Sequence, residues 1–168
     1  MNYAKYLIAA AVASVSFATP AAAAVQPQAT GKALILVPLS LTEVDNLDFG
    51  TVVTSASPGT VTIPADGSVR TQTGGVTLVA SDPGFRAVFA GAGSPNQLVD
   101  LTLTSPPTTV DLGTTDSMPI SLVLESATAT VDPVTRAFQV GVGGTVTVGA
   151  NQTEGVYTAT FTVDANYQ

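Results

Sequence analysis

Any chemistry done by this chain would have to be done by carboxylates. The 168 residues include no histidine and no cysteine. That removes the imidazole base, the thiolate nucleophile and a zinc site built from the usual ligands. A serine–lysine pair would have to draw on Lys32, the one lysine after the N-terminal leader described below, and it stands ahead of the first strand pattern. Paired carboxylates can hydrolyse glycosides. Here, however, Asp45, Asp48, Asp66, Asp82, Asp100, Asp111, Asp116 and Asp132 are scattered over turns and strand ends, where aspartate caps backbone or meets solvent. The expectation is a protein without catalysis, cofactor or metal.

Three shorter patterns read as structure. Asp45-Asn46-Leu47-Asp48 gathers acids but lacks the spaced register of a calcium loop, and fits an Asx turn leading into a strand. Asn151-Gln152-Thr153 matches a glycosylation sequon, a three-residue pattern that arises easily in a threonine-rich chain. GVGGTVTVG is glycine-rich, yet it opens onto strand-like residues with no helix N-terminus to hold a phosphate, so its glycines predict a bulge or tight bend.

The elements that position these residues begin after a leader. Residues 1–24 carry Lys5, an apolar stretch and a small-residue run ending in Ala22-Ala23-Ala24, the pattern of a cleaved secretory signal peptide. Residues 25–168 then form one domain exported to the periplasm, cell surface or exterior. Loss of Lys5 takes the net charge from −7 to about −8, which disfavours nucleic acid and anionic lipid. No later apolar run is long enough to span a bilayer as a helix, so stable membrane insertion is not expected.

Valine and threonine dominate, glycine and proline are frequent, and no window holds a 3.6-residue apolar period. The fold class expected is all-β, a single immunoglobulin-like antiparallel sandwich of about eight to ten strands with almost no helix. Period-two runs place strands at 33–42, 47–53, 59–65, 68–73, 75–81, 85–91, 98–105 and 119–126. Two more, bent at Gly143-Gly144, fall in 136–150, and a last one ends the chain. Asp66-Gly67 and Gly74-Gly75 read as hairpin turns.

The last of these runs carries the most information. From Tyr157, every second residue is apolar (Tyr157, Ala159, Phe161, Val163, Ala165, Tyr167) with polar partners between, and the alternation continues to Gln168. It predicts a half-buried strand whose outer edge has no closing strand. Such an edge can accept a strand from another molecule.

With Gly155 at the fourteenth position from the C-terminus and Tyr167 at the penultimate one, this end resembles the pilins of the chaperone/usher class. "PLSLTEVDNLDFGTV", "GGVTLV", "VGGTVTV" and "ANQTEGVYTATFTV" together are similar to the secreted bacterial family called domain of unknown function 4402, and "LDFGTV" also resembles the spore coat U type pilins. The first resemblance implies a β-sandwich and no catalytic residues. The second implies an assembly role, with copies of itself or related subunits and a periplasmic chaperone and usher as partners.

The residues expected to carry assembly are therefore Gly155, Tyr157, Phe161, Val163 and Tyr167 at the terminal edge, and Ile35, Val37 and Leu39 in an N-terminal segment that pairs with it in cis or in trans. The expected function is that of a structural or adhesive surface protein, a fimbrial subunit joined by strand complementation. A self-contained secreted sandwich fits the same residues, with Gly155 as a turn glycine and Tyr167 as an edge aromatic. A small outer-membrane barrel is a third reading, opposed by the missing aromatic girdles.

Overall fold

Threonine and valine alternate where one face of a strand is buried, as β3 (Gly59–Ile63) shows most simply. Val61 and Ile63 point inward, while Thr62 Oγ1 meets Thr145 Oγ1 at 2.8 Å and Thr60 Oγ1 meets Thr73 Oγ1 at 2.7 Å on the outer face. Such cross-strand pairs are the unit of sheet stability. The structure, a computed structural model, describes residues 26–104, 106–113 and 116–168, so the leader reading lies outside the described residues. Residues 26–34 carry neither helix nor strand, and Ile35–Gln168 form a separate compact unit.

The described residues hold no helix and twelve strands. In chain order these are β1 (Ser40–Asp45), β2 (Val52–Val53), β3 (Gly59–Ile63), β4 (Thr71–Gly74), β5 (Thr77–Leu78) and β6 (Ala87–Ala92). They continue with β7 (Leu98–Thr104), β8 (Thr109–Asp111), β9 (Ser117–Leu124), β10 (Thr128–Thr130), β11 (Ala137–Val148) and β12 (Thr162–Tyr167). All pairings are antiparallel. The count exceeds the eight to ten expected because several pieces are only two or three residues long.

The protein is an all-β sandwich organised along β11. Val142 pairs Ala87 on one edge and Leu124 on the other, while Gly144 pairs Ile63 and Leu122. Strands β6 and β3 therefore follow one another along one edge of β11, with β9 on the opposite edge. The order β1-β6-β11-β9 makes one layer and β12-β7-β10 the other. This matches the A-B-E-D and F-C strands of an immunoglobulin sandwich, with β12 in the F position. Between the layers lie Ala87, Phe89, Val99, Leu101, Val131, Phe138, Val140, Val142 and Val163. A second cluster, Val61, Val76, Val110, Val146 and Val148, packs beside the distal half of β11.

Several boundaries differ from the sequence reading. β11 is one continuous strand rather than two, because Gly143 and Gly144 serve close packing at a three-way strand junction instead of a bend. The first strand begins at Ser40, not at Ala33: Pro38 has no N–H to give a ladder, and the apolar residues before it lie outside any strand. The run at 47–53 narrows to β2 and an isolated bridge between Asp48 and Phe85. The strand read at 68–73 is β4, starting at Thr71. Gly74-Gly75 closes no hairpin, since β4 pairs β3 and β5 pairs β2, and the Gly75 N–H donates to the Pro58 carbonyl at 2.9 Å. The terminal strand starts at Thr162 and not at Tyr157. Asp66-Gly67 does lie in the turn joining β3 to β4, with Gly67 at φ 82°.

Candidate assembly edge

The terminal strand is half of a covered element. β12 pairs along one edge with β7, from Thr162 opposite Thr104 to Tyr167 opposite Val99. Along its other edge no strand pairs among the described residues. Thr162, Asp164 and Asn166 face outward, where Asp164 accepts a hydrogen bond from Thr104 Oγ1, and Val163 faces the core. Its inward neighbours are less well covered, since Phe161, Ala165 and Tyr167 are only half-buried, as are Leu39 and Leu41 on the approach to and start of β1. Phe161 packs edge-on against Phe89, with ring centroids 6.1 Å apart. Residues that belong to the interior are thus left part-exposed at the seam between the two layers, beside a strand edge with no ladder partner among the described residues.

The predicted residues divide between two places. Val163, Phe161 and Tyr167 join the main core, whereas Tyr157 packs on the second cluster. The Tyr157 hydroxyl accepts from Gln152 Nε2 at 2.9 Å and donates to the Thr153 carbonyl at 2.8 Å. Gly155, at φ 150°, lies against Leu112, where a side chain would collide. Between Tyr157 and Phe161 the chain makes an isolated antiparallel bridge from Thr158 to Asp111.

On the N-terminal side, Ile35 is 91% exposed and Val37 is exposed, while Leu39 reaches the core. Val37 and Leu39 do meet Tyr167, through side-chain bonding and packing rather than a strand ladder. The Tyr167 hydroxyl donates to the Val37 carbonyl at 2.9 Å and accepts from the Ser94 N–H at 2.7 Å. The Val37 N–H donates to Ser94 Oγ at 2.8 Å. Gly93 makes room for this group, because a Cβ there would lie 2.5 Å from the Tyr167 hydroxyl and 2.9 Å from Leu39 Cδ1.

Sequence reading missed a second construction, a clamp on LDFGTV. Asp48 Oδ1 accepts from the Gly50 N–H at 2.7 Å, an Asx turn, and Asp48 exchanges two backbone hydrogen bonds with Phe85 at 2.9 and 2.8 Å. Gly50 takes φ 65°, a conformation suited to glycine, with the Asp82 carbonyl close above it. Arg70 is buried beneath and donates to the carbonyls of Phe49, Val79 and Asp82, the last two at 3.0 Å. A lone arginine in a polar stretch gave no sign of this. The signal that could have found it lies in LDFGTV, read above as a strand, where an Asp stands two residues before a Gly.

The same two constructions fall within a match to a known family. The family model described as Domain of unknown function (DUF4402) matches residues 39–167. The chain belongs to this family. No curated protein and no solved structure matches. The DUF4402 match begins at Leu39 and ends at Tyr167. It therefore takes in the Arg70 clamp, β12 and the residue whose hydroxyl holds Val37, and it leaves Ile35 and Val37 outside.

Proposed function

We propose that this protein is an exported, non-catalytic structural subunit of the cell surface that joins its neighbours by strand addition along the outer edge of β12. The observation that carries this reading is the half-covered seam. A strand with a buried inner face has no partner on one side among the described residues, and core residues beside it remain part-exposed. An added strand would satisfy the backbone groups and cover Phe161 and Ala165 together. The N-terminal segment supplies fitting chemistry, since Leu34 and Ile35 are apolar and exposed. Export rests on the leader-like residues 1–24, and a periplasmic chaperone with an usher would suit a subunit whose edge must be protected before assembly.

The test is a gel of the cell-surface fraction in SDS, with and without boiling, probed for this protein. A ladder that collapses on heating to one band near the mature mass is the expected result. One band unchanged by heat overturns the proposal and supports a self-contained sandwich. A single band that shifts on heating would indicate a membrane barrel instead.

A further inference from the structure

Val37, Ser94 and Tyr167 are far apart in sequence, yet three hydrogen bonds of 2.7 to 2.9 Å close a ring among them. Both backbone polar groups of Val37 are consumed in it. The next residue, Pro38, has no N–H, and Leu39 is packed against the core. The segment entering β1 is therefore fastened at Val37, whereas Ile35, two residues earlier, is almost fully exposed. The ring sits where β12 ends, so it fixes the point from which the upstream residues depart.

We propose that the Tyr167 hydroxyl and Ser94 form a latch that holds the N-terminal segment at Val37 on its own sandwich, with Ile35 left exposed and available to another copy.

The physical reason lies in chain direction. A segment tethered at the Tyr167 end of β12 could return along the outer edge of that strand only with residues 32 to 36 running the same way as residues 162 to 166. Pairing in cis would therefore be parallel, the less stable arrangement per residue. The same residues from a second copy carry no such tether to the receiving β12 and can enter antiparallel. The latch thus disfavours closure in cis without obstructing addition in trans. Its consequence for assembly rests on the proposed strand addition, but the latch itself can be read in the monomer.

Two variants and two readouts separate these claims. Tyr167→Phe keeps the ring and removes the hydroxyl, and Ser94→Ala removes the acceptor for the Val37 N–H. Amide hydrogen exchange of the monomer is expected to show protection of Val37 and Ser94 in the native chain, with Ser94 losing about tenfold in Tyr167→Phe and Val37 about tenfold in Ser94→Ala, the scale of one lost hydrogen bond each. Unchanged exchange of Ser94 in the first variant and of Val37 in the second, with the fold intact by circular dichroism, overturns the latch. The second readout is the unboiled gel, where Tyr167→Phe is expected to shift material from ladder to monomer. A ladder of native intensity, despite lost Ser94 protection, overturns its role in assembly. Absence of a ladder in the native chain refutes strand addition but leaves the exchange result to decide the latch.

Discussion

Replacing Arg70 by methionine tests whether LDFGTV is held by a charged fork. Arg70 is 9% exposed, and no carboxylate among the described residues forms an ion pair with it. Its charge is met by carbonyl dipoles, of Phe49 on one nitrogen and of Val79 and Asp82 at 3.0 Å on the other. Hydrogen bonds from a charged donor contribute about 1.5–3 kcal/mol each, so three amount to roughly 5–9 kcal/mol. Opposing this is the cost of taking the guanidinium out of water, several kcal/mol, which methionine does not incur. Thr51 and Ser81 beside these carbonyls are exposed, so water can reach part of the vacated site. The net loss expected is about 3 kcal/mol, a drop in Tm of about 10 °C for a domain of this size. Thermal unfolding followed by circular dichroism measures it. Arg70→Lys should recover less than about a third of the loss, because a single ammonium cannot span both sets of carbonyls. A Tm within about 3 °C of the native value for Arg70→Met, or full recovery with lysine, would refute the fork as the source of stability.

Two further outcomes follow from particular side chains. Val163→Lys puts a charge on the core face of β12 and is expected to cost more than about 5 kcal/mol, enough to remove soluble folded protein; a folded variant melting within 5 °C of the native chain would show that this face is not core. Asp132 is held below the ordinary aspartate value of 3.8 by the Thr135 N–H first, then by the Val134 N–H and the Thr135 hydroxyl. Its folded-state pKa is depressed, so the stabilisation is present above pH 4 and is lost as pH falls through the lower folded value. The native chain should lose Tm below pH 4 more steeply than Asp132→Asn, and parallel acid limbs in the two melting profiles would contradict this.

The elements legible in the sequence were those whose alternation reflects burial over five or more residues, such as β3, β6, β7 and β12. β8 and β10 have three residues each, too few for a period to register. Residues 33–37 were misread for a different reason. A run apolar on both faces describes a fully buried strand equally well as a segment exposed for a partner, and periodicity contains nothing about which one the chain provides. At the other end, the alternation from Tyr157 is real in sequence, but its two halves serve different clusters, with Tyr157 on one and Phe161 on the other. Tyr167 was identified as an edge residue. That its hydroxyl reaches Val37 depends on Gly93 and Ser94, whose nearness only the fold creates.

The contrast between two sheet edges bears most directly on function. β4 closes one end of the large sheet with Thr71, Gln72, Thr73 and Gly74, all exposed on both faces, so a strand added there would bury nothing apolar. That is how an edge is made unattractive. β12 differs: its outward residues are polar, including the charge of Asp164, but its inward residues belong to a core that remains part-open beside them. Blunting this edge would have required little, such as a charge facing inward, and the inward positions Val163, Ala165 and Tyr167 carry none. Meanwhile an apolar segment is held at Val37 within the same molecule and left exposed just upstream. An exposed apolar segment and a part-open apolar seam are each a liability in an isolated molecule. Under the proposed strand addition, each would cover the other when it comes from a different copy, so a single contact would account for both.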